Sequence, residues 1–151
     1  MADWTGMTRS SYARMKDRAS FIRFLDLFFG DARLAEKDDG TLGFYSLSGD
    51  MPTLFPEEMD ENDLAWISRL SGTSEEDWDE FVEICDLIHL FLADGEVIVI
   101  TQAGHEKSRY VSGCAIAVRS DGEGCAINLH DIFMMVKDDL GKDIPFTHRE
   151  F

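Results

Sequence analysis

The run from 109 to 129 constrains the fold more tightly than any other part of the chain. Two β-rich stretches, 109–119 and 124–129, flank the pair Asp121-Gly122. A two-residue hairpin turn needs positive φ, which glycine adopts without steric penalty. The pattern predicts Val118 paired with Cys125, Ile116 with Ile127 and Cys114 with Leu129. One face then carries Cys114, Ile116, Val118, Cys125, Ile127 and Leu129; the other carries Ala115, Ala117, Ala126 and Asn128. The repeated Gly-Cys-Ala-Ile at 113–116 and 124–127 follows from that register, and its alanine face invites a helix or strand to approach closely. A third β-rich run at 96–101 completes a three-stranded antiparallel meander over about 96–129.

Helical periodicity dominates the rest. Tyr12, Met15, Ala19, Ile22, Leu25 and Phe29 recur at helical spacing, with Phe21, Phe24 and Phe28 widening the stripe, so 11–29 reads as a helix ended by Gly30. Its polar side carries Arg14, Lys16, Arg18 and Arg23. Leu42 to Leu47, between Asp39-Gly40 and Gly49-Asp50, reads as an additional fourth strand. Further helices are expected at 60–70, 74–93 and 131–140. The third opens on Thr73-Ser74-Glu75-Glu76, a capping-box pattern, and turns apolar nearly all round, which marks a central buried helix. The prediction is an α+β fold, a meander packed with four helices, in one globular domain over 1–151 with 142–151 as a tail. Pro145, Phe146 and Phe151 equip that tail to dock on the domain or on a second chain.

Such a chain has the apolar content to fold, at 44% hydrophobic residues, but its charge is unusual. The formal net charge is −16. Residues 57–86 hold twelve acids against the single base Arg69, whereas 1–33 hold six bases against four acids. A chain so acidic is a poor direct ligand for nucleic acid or an anionic membrane, since phosphate contact needs Lys and Arg. The apolar runs are too short and too interrupted to span a bilayer, and the first residues lack the core of a secretory signal. Three cysteines, an odd number, argue against a disulfide framework. The expected location is cytoplasmic.

Within the acidic segment, Glu75, Glu76 and Asp77 are accounted for by the first turn of the expected 74–93 helix, where the dipole favours carboxylates. Like-charge i,i+4 pairs, Glu76–Glu80 and Asp79–Glu83, are not, because each costs a helix a few tenths of a kcal/mol. The candidate partner-binding residues are therefore Glu57, Glu58, Asp60, Glu61, Asp63, Glu76, Asp79, Glu80, Glu83 and Asp86. They point to a noncatalytic interaction protein with a basic protein partner, reached by electrostatic steering. One alternative is a mimic of nucleic acid that inhibits a DNA- or RNA-binding protein. Another is a homo-oligomer in which the basic N-terminal part of one chain meets the acidic segment of another.

The remaining chemistry is sparse. Cys85 and His89 at i,i+4 resemble half a metal site, but the predicted register separates Cys114 from Cys125 by roughly 13 Å at strand rise, too far to share one zinc. No cofactor is expected, and no nucleophile elbow, phosphate loop or dinucleotide fingerprint occurs. His105-Glu106 and His130-Asp131 are the best-placed polar pairs, so a small-ligand binder or enzyme using His105 and His130 is the third reading.

Overall fold

The computed structural model describes residues 4–106, 110–129 and 131–139. Eight strands and four helices follow in the order β1 (Trp4–Ser10), α1 (Arg18–Asp26), β2 (Ala32–Glu36), β3 (Leu42–Ser46), β4 (Thr53–Leu54), α2 (Glu61–Ser71), β5 (Val82–Glu83), α3 (Ile84–Leu87), β6 (Val97–Glu106), β7 (Tyr110–Arg119), β8 (Gly124–Asn128) and α4 (Asp131–Asp139). Single 3-10 turns occupy Pro56–Glu58 and Ile88–Phe91. Six strands form one antiparallel sheet in the order β2-β3-β1-β6-β7-β8, and β4 pairs with β5 apart from it. The α+β class holds. The expected three-stranded meander, with a fourth strand near 42–47 and four helices packed on it, does not, because the fold is mostly sheet, with six strands in one sheet and two in another.

Two expected helices account for the difference. The first, 11–29, shrinks to α1, because 11–16 runs extended, with Ala13 bridging Leu42, Met15 bridging Leu92 and the Lys16 N–H on the Phe91 carbonyl at 2.9 Å; before it, β1 pairs with β6 from Trp4↔Glu106 to Ser10↔Ile100. The buried side chains Thr8 and Ser10 of β1 are polar, which hid the strand from a hydrophobic pattern. Thr8 and Ser10 are buried, and each is satisfied: Thr8 Oγ1 donates to the Gly49 carbonyl at 2.7 Å, and Ser10 Oγ accepts from the Phe44 N–H at 2.8 Å. A Cβ at Gly49, where φ is +84°, would run into the Gly6 carbonyl oxygen, so only glycine lets that loop close on β1. Asp17 then caps α1 by accepting from the Ser20 N–H at 2.9 Å. Phe21, Phe24 and Leu25 make its buried stripe, and Phe28 in the following turn is buried beside them.

The second, 74–93, is not a continuous helix. Val82 pairs with Leu54, the Ile84 N–H donates to the Pro52 carbonyl at 2.9 Å, and only α3 and one 3-10 turn follow. The like-charge pairs that weaken a helix here are relieved by leaving 74–81 without regular structure. The helix expected at 60–70 corresponds to α2, capped by Asp60 and ended by Gly72 at φ +72°. Residue Leu140 and the tail lie outside the described residues.

The hairpin register also differs by one. The Arg119 N–H donates to the Glu123 carbonyl at 2.8 Å, so the loop has three residues and Val118 faces Gly124, Ala117 faces Cys125, and Cys114 faces Asn128. Ser120 is drawn aside by the turn that precedes β6, with its N–H on the Glu96 carbonyl and its hydroxyl accepting from the Gly95 N–H. A one-residue slip moves Cys125 and Ile127 to the opposite face from Ile116 and Val118.

Core packing sits on one face of the sheet. Ile98, Ile100, Phe44 and Val118 point toward α1, α2 and the 84–92 segment, where Phe21, Phe24, Ile67, Ile84, Ile88 and Leu92 are fully enclosed. The Phe24 ring stacks on Phe91 at 4.3 Å and meets Phe28 edge-on at 5.2 Å. Such pairs contribute about 0.5–1.5 kcal/mol each beyond the area they bury. Among the described residues no helix is long and apolar enough to cross a membrane.

Candidate functional site

The acidic segment folds into two kinds of carboxylate. The first kind is tied into the scaffold. Asp60 accepts from the Asn62 N–H at 2.8 Å at the start of α2. Asp63 pairs with Arg23 at 3.2 Å, and the same guanidinium lies 4.2 Å from the centre of the Trp66 indole. Asp86 accepts from the Glu83 N–H at 3.1 Å, holding the first turn of α3. Four of the ten residues marked in the sequence (Asp60, Asp63, Glu83 and Asp86) thus have structural work.

The second kind gathers around a cleft of about 390 Å³ between the Pro56–Glu58 turn, α2 and the 75–80 loop. Its lining is Pro56, Glu57, Leu64, Glu75, Glu76, Trp78, Asp79 and Glu80. Trp78 fixes the shape. Its Nε1–H donates to Ser68 Oγ at 2.8 Å, so the half-buried indole is locked to α2 and the loop must arch over it. The Asp77 N–H on the Ser74 carbonyl at 2.9 Å tightens that arch. Glu57 from one acidic cluster thereby meets Glu76, Asp79 and Glu80 from the other. Glu58 and Glu61 are exposed nearby but outside the lining.

Four lining residues are absent from the set marked in the sequence: the apolar Pro56 and Leu64, and Glu75 and Trp78. Glu75 was assigned to a helix dipole that the structure removes, since 75–77 is a turn. Trp78 falls inside the expected 74–93 helix, where the structure has an irregular loop. The signal for both was the unfavourable i,i+4 charge pairing, which argued for a loop.

The lining contains no Lys, Arg or His, and Arg14 and Arg18 of the N-terminal part are engaged elsewhere. Arg14 pairs with Glu96 at 2.9 Å and Arg18 with Glu36 at 2.8 Å; Arg119 in β7 pairs with Asp121 and Glu123. Hydrogen bonds from Arg18 and from the Arg14 backbone hold the carboxyls of Glu36 and Glu96 below their usual range, and Arg119 does the same for Asp121. Attraction between the basic N-terminal part and the acidic segment is realised inside the chain, through Arg23 and Asp63.

The other candidates do not converge. His105 is exposed on β6 and lines a shallow depression with Thr5, Gly6, Met7, Ala103, Gly104, Ser112 and Leu129, which supplies no carboxylate or thiol. His130 lies outside the described residues. Cys85 and His89 no longer share one α-helix; the His89 ring sits under the hairpin loop, where a Cβ on Gly122 would meet it at 3.4 Å. Burial pushes the Cys85 thiol up to about 12, with Asp86 and Glu83 adding to it, so it is a poor thiolate at neutral pH. Cys114 and Cys125 point to opposite faces of the sheet. Among the described residues no three His, Cys, Asp or Glu donors group as a metal set.

Compared with known proteins, the chain matches no family model, no curated protein and no solved structure.

Proposed function

We propose that the chain is a noncatalytic interaction protein that seats a basic segment of a protein partner in the Trp78 cleft. The observation that carries this reading is the cleft itself: five carboxylates, Glu57, Glu75, Glu76, Asp79 and Glu80, around an apolar floor of Leu64, Pro56 and Trp78, with no cation in the lining. Carboxylates crowded without counter-charge repel one another, and an incoming Arg or Lys relieves that repulsion. An arginine suits the site best. Its planar guanidinium stacks on an indole face while its N–H groups reach carboxylates. Arg23, held between Trp66 and Asp63, displays that combination within this same molecule.

The concave form favours a protruding side chain over the extended duplex-binding surface that a nucleic-acid mimic addresses. A cytoplasmic location accords with three cysteines left as free thiols.

Calorimetric titration with a short arginine- and lysine-rich peptide tests the proposal. Binding is expected to weaken steeply as salt rises, because opposite charges meet across a solvated cleft. Salt-insensitive binding, or none at low salt, would falsify it.

A further inference from the structure

One face of the six-stranded sheet is packed; the other is bare among the described residues. Across β1, β6, β7 and β8 it presents Met7, Val97, Val99, Ile127 and Leu129, of which Met7 is 67% and Ile127 63% exposed. Ala103, Gly113, Ala115 and Ala117 make a low strip between them, and four adjoining shallow depressions follow it. A contiguous apolar surface of this kind in a charged protein marks a contact site.

We propose that the C-terminal segment of this same chain, residues 140–151, is its occupant. Position is the first reason. Leu129 belongs to the bare face, α4 begins two residues later at Asp131, and the segment starts where α4 ends. The Asn128 N–H donates to the Asp131 carboxylate at 2.7 Å, which pins the start of α4 to the β8 end of the sheet. Twelve residues span up to about 40 Å when extended. Four strands are about 14 Å across and ten residues of strand about 33 Å long, so the segment reaches the whole face.

Chemistry is the second reason. The segment supplies Leu140, Ile144, Pro145, Phe146 and Phe151, and its two acids are balanced by Lys142 and Arg149. It carries no net side-chain charge in a chain of net charge −16. A second copy would bring another −16 against the first and be opposed by self-repulsion. The tethered segment arrives without that charge and at millimolar effective concentration. Covering the sheet in this way leaves the Trp78 cleft as the surface offered to a partner, although neither proposal depends on the other.

Cys125 is a built-in reporter, exposed on the bare face beside Ala117 and Val97. Its maleimide alkylation, read from the Cys125 peptide by mass spectrometry, is compared in the full chain, a Phe146→Asp variant and a chain ending at Asp139. The folded full chain is expected to react about tenfold more slowly than the other two, independent of protein concentration. Equal rates in the full chain and the Phe146→Asp variant overturn the proposal. So does protection that grows with protein concentration, which assigns the face to a second copy. If the shortened chain does not fold by circular dichroism, the full chain in buffer is set against itself in urea, and equal Cys125 rates there overturn the proposal as well.

Discussion

Carboxylates paired with arginines and carboxylates around Trp78 both reach solvent, yet they differ in what faces them. Glu36 meets Arg18, Glu96 meets Arg14 and Asp63 meets Arg23, each with a hydrogen-bonded guanidinium. Glu57, Glu75, Glu76, Asp79 and Glu80 meet one another across a cleft with an indole at its floor. The difference teaches that density of charge along the chain does not mark a site. Asp63 and Glu76 belong to the same acidic segment; Arg23 neutralises the first, and no cation lines the cleft around the second.

The largest disturbance of this contrast is Trp78→Ala. It removes the floor of the cleft and leaves the Ser68 hydroxyl, buried with α2, without its indole donor. A loss of about 2–3 kcal/mol is expected, below the range for a fully buried tryptophan, and with it roughly 5–10 °C in the melting temperature. Thermal unfolding checks this; a change under about 1 °C would show that the indole does not hold the arch.

Glu76→Lys converts the cleft into the paired kind of surface. Stability is expected to stay level or rise by about 0.5 kcal/mol, because a cation then stands among the other carboxylates of the lining. Affinity for a basic peptide is expected to drop at least tenfold. Retained affinity would mean the peptide binds elsewhere.

Asp63→Asn tests the opposite side of the contrast. Arg23 keeps its place on Trp66 by stacking, so chemical denaturation is expected to show a loss of less than about 1 kcal/mol, and peptide affinity is expected to be unchanged.

The smallest effect concerns acid. Hydrogen bonds lower the folded-state pKa of Glu36, Glu96 and Asp121, so their stabilisation is present above the ordinary carboxyl range and is lost as pH falls through the lowered values. Glu96→Gln is expected to flatten the fall in melting temperature below about pH 4.5. An unchanged acid limb would show that this pair does not couple to folding.

Some of this fold was legible in the sequence and some was hidden for definable reasons. Helix α2 was plain, because Asp60 and Gly72 punctuate both ends. The β7–β8 hairpin was plain in location and wrong in register, since Ser120 is claimed by Gly95 and Glu96 and lengthens the loop. Strand β1 was hidden because Thr8 and Ser10, its inward residues, are polar and buried only by virtue of distant partners at Gly49 and Phe44. At the site, Glu57, Glu76, Asp79 and Glu80 were legible as unexplained charge. Their convergence was not, because it depends on the Trp78–Ser68 hydrogen bond folding residues 75–80 back over α2.

Two charge-matched triple variants isolate the central claim. Glu76→Gln, Asp79→Asn and Glu80→Gln neutralise the cleft; Asp26→Asn, Asp38→Asn and Asp94→Asn remove the same charge from exposed positions away from it. Binding of one basic peptide to both is measured across a salt series. The expected result is at least a tenfold loss of affinity and a flattened salt dependence for the cleft triple only. Equal losses in both would contradict the claim, because total charge, rather than the cleft around Trp78, would then govern the interaction.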